Sequence, residues 1–367
     1  MARAKSILTS GDYALVRLAP YLRVLGELEE DLLGARLEDI AIQKPVFITG
    51  LARSGTTMML TLLSQASDVA THRYRDFPFL FAPLAWNWFQ DLMSGGRAAE
   101  AVERPHKDRI RITKESPEAF EEPVWQAYFP WTHDANRCHL LGKETSNPAF
   151  EAAFATHLRK ILWLRGGRRY VSKGNYNVAR IAYLARLFPG ARFVIPVREP
   201  VSHVHSLVRQ HELFCRYAEE DPRVPHYLEA AGHYEFGPQR RPIHFNDSEI
   251  GAVQEAWSKG DNYRGYARQW AAVYRHVDRL RRDPWLASRI MVVRYEDACA
   301  APEALRRDLL SFCALADFSG RVAKAAATLA AAKEGSVPAA AVHTVREETA
   351  DVAAAFGYSA LSEKAAA

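Results

Sequence analysis

The chain has 367 residues, 48% of them hydrophobic and 25% charged, with a net charge of +5. That is enough apolar material for a sizeable core in one large domain or two ordinary ones. The mild positive charge favours anionic ligands but lacks the concentrated basic stripe of a nucleic-acid binder, and no run of eighteen apolar residues offers a membrane span.

In chain order, residues from about 6 to 41 carry apolar side chains at three- and four-residue steps and read as helices. "KPVFITG" reads as a short buried strand ending in a glycine turn, and Ser54 to Ser67 as the helix that leaves it. An aromatic, proline-punctuated segment follows to about residue 135. Its part from Phe77 to Met93 reads as a wall or lid of a substrate cavity, with interfacial membrane contact as the lesser alternative. "NPAFEAAFATHLRKILWLR" is an amphipathic helix with Asn147 as cap and Pro148 in the first turn. "RRYVSKG" is a second strand, "NVARIAYLARLF" a helix, and "ARFVIPVRE" a third strand. A long helix opens at Pro200, another spans "NYRGYARQWAAVYRHVDRLRR", "SRIMVVRYED" is a fourth strand, and "APEALRRDLLSFCAL" is a helix. The alanine-rich stretch after residue 321 could hold a helix and a flap.

Strands alternating with helices predict an α/β fold with a doubly wound parallel sheet, whose ligands sit beyond the carboxyl ends of the strands. The strand ends here are Gly50 to Arg53, Lys173-Gly174 and Arg198, so these residues should converge although they are far apart in sequence. The expected organisation is an N-terminal helical segment (1–44), an α/β domain (45–320) with acceptor-side insertions at 72–150 and 215–260, and a C-terminal helical tail (321–367).

The loop "FITGLARSGTTMM" is built for phosphate. Gly50 and Gly55 let successive N–H groups turn inward at a helix N-terminus, and Thr56 and Thr57 add hydroxyls. The lysine of an ordinary ATPase loop is missing: Thr56 stands in its place, and Arg53 lies inside the loop. An arginine there can stabilise a leaving phosphate without a metal. In "FVIPVREPVSHVHSLVRQ", Arg198 ends a strand and Ser206 lies eight residues on in the next helix, a pair able to grip one more phosphate.

Strand–G-x-x-R-S-G-T-T–helix followed by strand–R-x-P-x5-S–helix resembles the sulfotransferase family, with P-loop-like fold, over about Pro45 to Leu315. The arginine at position 53 is similar to the protein-tyrosine and bacterial-type branches. The resemblance implies 3′-phosphoadenosine 5′-phosphosulfate (PAPS) as sulfo donor, with Arg53, Ser54, Gly55, Thr56 and Thr57 around its 5′-phosphosulfate and Arg198 and Ser206 on its 3′-phosphate. It also implies that Lys173 contacts the transferred group and that no metal is used. "RIMVVRYEDACAAPEALRRDLLSFC" and "AFGYSAL" are similar to later family segments. Met58 replaces the tryptophan that stacks on adenine in the cytosolic branch, and the family's C-terminal glycine–lysine loop is not recognisable.

A base for the acceptor is the open point. Asn175 and Asn177 occupy the places where many relatives carry histidine, and neither amide is basic. Asp76, in the segment "RYRDFPFL", falls where other relatives carry a carboxylate, and it is the expected catalytic base. His72, His106 and His133 stand behind it. His203, His205 and His211 lack the shared helical face of a metal site, and adjacent Glu296 and Asp297 read as structural caps.

The four cysteines form no CxxC pair and no zinc spacing, so reduced thiols are expected. With no secretory stretch at the N-terminus, the expected compartment is the cytoplasm. The expected partner is a small-molecule, carbohydrate or lipid acceptor, with polyketides and peptides also open and a homodimer as an option. Phe77 to Phe89, with Trp125, Tyr128, Phe129 and Trp131, suggests a large apolar or sugar-stacking acceptor site. An atypical P-loop kinase and a non-catalytic nucleotide-binding relative are the competing readings.

Overall fold

The computed structural model describes residues 19–94, 101–103, 106, 111–329, 331 and 335–358. Five strands form one parallel sheet: β1 (Val46–Ile48), β2 (Val69–Ala70), β5 (Arg169–Lys173), β6 (Arg192–Val197) and β7 (Ile290–Arg294), in the order β2-β5-β1-β6-β7. A two-residue ribbon, β3 (Val102–Glu103) with β4 (Arg111–Ile112), lies apart from it. β1 is central because its three residues, Val46, Phe47 and Ile48, are all apolar and fully buried. The register sets Ile48 opposite Lys173 on one side and opposite Val194 on the other. From β1 the chain passes through β2 and β5 on one side and then crosses to β6 and β7 on the other, which puts the switch point of the sheet beside the carboxyl end of β1.

The period of two along each strand divides the core. Phe47, Tyr170, Phe193 and Ile195 face one layer, while Val46, Ile48, Val171 and Val194 face the other. The first layer holds α5 (Pro148–Arg165), α6 (Ile181–Leu187), α7 (Pro200–Glu220), α10 (Asn262–Arg282) and α14 (Ala339–Ala355). The second holds α2 (Thr56–Leu63), α12 (Pro302–Cys313) and α13 (Arg321–Ala326). Helices α1 (Ala19–Glu38) and α3 (Pro83–Ser94) pack beside α5. The remaining helices are α4 (Glu122–Tyr128), α8 (Val224–Ala230), α9 (Asp247–Ser258) and α11 (Tyr295–Ala300).

The four expected strands and the helices between them are present, and β2 is an edge strand too short to leave a periodic signal. Caps fall where the residue types place them. Asn147 accepts from the Phe150 N–H at 3.1 Å, and Glu199 accepts from Val201 and Ser202 at the start of α7. The helix expected over "NVARIAYLARLF" is broken instead into a 3₁₀ turn, Asn175–Ala179, and α6. Asn177 and Arg180 cause the break, because their buried side chains bind Glu121 and Glu122. Glu296 is not a cap for α12. It accepts from the Glu199 N–H and the Tyr358 hydroxyl, tying the end of β7 to the start of α7. Val345 and Val352 of α14 join the main core. Residues 1–18 of the expected N-terminal helices, and Ser359 to Leu361 of "AFGYSAL", lie outside the described residues.

Candidate active site

The loop after β1 takes the path its glycines permit. Gly50, Arg53 and Gly55 all have positive φ, at 134°, 69° and 108°. A side chain on Gly55 would be strained by that φ, and its Cβ would come within 3.0 Å of the Tyr295 ring. The helix that follows begins at Thr56, two residues later than the sequence suggests, since Gly55 is its left-handed first flank. Its amide end therefore opens at the carboxyl edge of the sheet.

Residues distant in sequence meet there. Arg53 donates from Nε to Ser206 Oγ at 3.3 Å, and Arg198 donates from Nη1 to the Arg53 carbonyl at 3.2 Å. The Arg198 guanidinium lies 4.8 Å from the Tyr295 ring centre. Arg198 is buried, and burial first, with the nearby Arg53 charge, pulls its pKa below the ordinary arginine value. His203 holds the loop from below, donating to the Ala52 carbonyl at 2.8 Å. Its burial pushes its pKa down to about 3, so it is neutral. His205 instead bonds Tyr263, and His211 packs beside Cys215. Among the described residues no group of His, Cys, Asp or Glu is placed to hold a metal.

Lys173, at the end of β5, donates to Thr57 Oγ1 at 3.2 Å and to Glu118 Oε1 at 2.9 Å. Glu118 also accepts from the Tyr74 hydroxyl at 2.5 Å. These groups line a cavity of about 140 Å³ together with Arg53 and Thr56. Asn175, His233 and Glu235 line it beside them. Asn175 donates to Glu235 at 2.7 Å, and His233 lies 3.6 Å from the other Glu235 oxygen. Burial works against protonating His233, but the Glu235 bond and charge outweigh it and raise its pKa. Glu118 escaped the sequence reading because "KESPEAF" has no periodicity or glycine to mark it. The only available signal was an acidic residue after a proline in a segment expected to flank the acceptor.

The expected base is elsewhere. Asp76 is fully buried, ion-paired with Arg165, and accepts from Asn87 at 3.0 Å and the Arg73 N–H at 2.9 Å. Burial opposes its charge, but His72 and Arg165 together hold its carboxyl far below the usual range. It is not among the residues that line the cavity. His72 stacks on His157 in the same buried network, with Nε2 atoms 2.9 Å apart. His133 is buried against Glu122 at 2.5 Å. Of the three reserve histidines only His106 lines the cavity, packed on Phe214. The aromatic residues expected to form the acceptor wall are also placed differently. Trp125 and Phe129 sit in the core, and Phe79, Trp86 and Phe89 line a separate groove between α1 and α3. The cavity wall comes instead from Phe120, the second half of α7, α8 and Phe236.

The sulfotransferase family model matches residues 45–234, a little over half of the chain. The chain belongs to the sulfotransferase family. Its fold is also that of a crystal structure of a sulfotransferase from Mycobacterium tuberculosis H37Rv, at a TM-score of 0.52 and 16% identity, covering 95% of this chain and 88% of that one. A Mycobacterium avium sulfotransferase gives a TM-score of 0.49 at 14% identity, covering 89% and 81% of the two chains. One from Alicyclobacillus acidocaldarius gives 0.43 at 12%, covering 86% and 95%. Comparison with curated protein sequences gave no match. No helix among the described residues is long and apolar enough to cross a membrane. The matched span contains the loop, Lys173, Arg198, Ser206 and every cavity-lining carboxylate except Glu235, which follows it by one residue.

Proposed function

We propose that this sulfotransferase-family chain moves a sulfuryl group from PAPS to a hydroxyl or amine of an organic acceptor. The observation that carries the reading is the Arg53–Ser206 contact, with Arg198 bonded to the same loop, which supports taking the two phosphate motifs as one site. Arg53, the Ser54–Thr57 amides and the threonine hydroxyls would hold the 5′-phosphosulfate. Arg198 and Ser206 would hold the 3′-phosphate, a group that ATP lacks.

The donor supplies an activated sulfuryl group, whose in-line transfer has a loose transition state with charge on peripheral oxygens. Arg53 stabilises charge on the leaving phosphate, and Lys173 offers a second fixed cation on the sulfuryl side. Glu118 takes the acceptor proton in place of Asp76. It already touches Lys173 beside Thr57 and faces the cavity. A carboxylate suffices as the base where the proton moves late. No metal is needed, because arginine and lysine supply the charge. The test is release of 3′-phosphoadenosine 5′-phosphate from PAPS in the presence of mixed acceptors. The reading predicts release that is lost in Arg53→Ala, and the absence of release from the wild-type chain with every acceptor class would sink it.

A further inference from the structure

We infer that the acceptor is an uncharged alcohol or phenol on a largely hydrocarbon skeleton, taken up with its hydroxyl towards Glu118 and Lys173. The inference rests on the donor reading above and names the acceptor side of that same site. Among the described lining residues, Lys173, Asn175, Glu118, Tyr74 and His106 bring polar groups, while Phe120, Phe214, Tyr217, Tyr227, Leu228 and Phe236 bring aromatic and apolar surface. Phe214 and Phe236 stack with centroids 5.9 Å apart, and Tyr217 meets Phe214 edge-on at 5.6 Å. These rings form a continuous apolar surface on which a hydrocarbon or aromatic body packs well.

The lining carboxylates are matched within the protein. Glu118 pairs with Lys173 at 2.9 Å, and Glu235 with His233 at 3.6 Å. Among the described residues, the aromatic part of the lining offers no line of cations to an acceptor carrying sulfate or carboxylate groups. A sugar would bring several hydroxyls against phenyl rings, where each loses water without gaining a full set of partners. One hydroxyl on an apolar body meets neither cost.

The experiment titrates 2-naphthol, 1-decanol and the disaccharide lactose into the chain saturated with 3′-phosphoadenosine 5′-phosphate, by calorimetry at several temperatures. The expected result is binding of 2-naphthol or 1-decanol with a negative heat-capacity change, and none of lactose. Leu228→Trp, which fills the wall, and Tyr227→Ala, which opens it, should each weaken that binding at least tenfold and leave nucleotide affinity unchanged. Two variants of opposite volume guard against one that fails to fold. Lactose binding in place of both apolar probes, or apolar binding untouched by both variants, would overturn the inference. Failure of the nucleotide itself to bind is a separate outcome that removes the donor reading on which the inference stands.

Discussion

Arg53 and Ser206 are 153 residues apart in sequence and 3.3 Å apart in the fold. Arg198 completes the cluster through the Arg53 carbonyl. A guanidinium–phosphate bond is worth about 1.5–3 kcal/mol. Arg198→Ala should therefore weaken 3′-phosphoadenosine 5′-phosphate by roughly 10- to 150-fold, while adenosine 5′-phosphosulfate, which lacks the 3′-phosphate, binds as before. Calorimetric titration of both nucleotides reads the difference. Equal losses for the two would place Arg198 elsewhere on the ligand.

That cluster was legible in the sequence, because glycines, a strand end and a helix-opening proline each leave a local mark. β1, β5, β6 and β7 were legible for the same reason: short apolar runs bounded by turns. What the sequence did not disclose was which carboxylate reaches the cavity. Asp76 and Glu118 both lie near the edge of the sheet, and only packing decides that Arg165 claims the first and Lys173 the second. The acceptor wall was hidden for a related reason. Trp125 and Phe214 are both apolar and both buried in the main core, and only the packing leaves Phe214 bordering the cavity.

The two carboxylates should separate by experiment. Glu118→Gln removes the proton acceptor, and single-turnover transfer should fall by about 10²–10⁴ with nucleotide affinity kept. Asp76→Asn leaves Arg165 buried without its counter-charge and should cost about 3–5 kcal/mol of folding stability. Transfer per folded molecule should stay near that of the parent. The reverse pattern would restore Asp76 as the base.

Acid should unfold the protein in two stages. His139 and His276 are buried, and burial lowers each pKa to about 4. The unfolded chain takes up their protons as pH falls below about 6.5, so stability declines from there to about pH 4. Glu122 follows. Burial opposes its charge, but Arg180 and His133 outweigh that and lower its pKa from 4.5 to about 2. Its contribution is fully present above about pH 4.5 and is lost as pH falls to about 2. Denaturant unfolding across pH 8 to 3 checks the profile. A flat curve between about pH 6.5 and 4 would contradict the assignment of neutral buried histidines.

Gly55 should tolerate no side chain. Gly55→Ala imposes a left-handed conformation worth about 1–2 kcal/mol against the new residue. It also drives a methyl towards Tyr295, the ring that packs on Arg198. Nucleotide affinity should fall more than stability does, since the loop can relax only by moving away from the ligand. Equal affinity in Gly55→Ala would show that the loop is not the binding element.

The most direct measurement is thermal unfolding with 3′-phosphoadenosine 5′-phosphate, beside Mg-ATP and AMP. At a hundred times its dissociation constant a ligand adds about 2.7 kcal/mol, which raises the midpoint by about 3–4 °C. The account predicts a rise with the 3′-phosphorylated nucleotide alone, cut to about half or less in Arg198→Ala at the same ligand concentration. A rise with Mg-ATP and none with the 3′-phosphorylated nucleotide would contradict it.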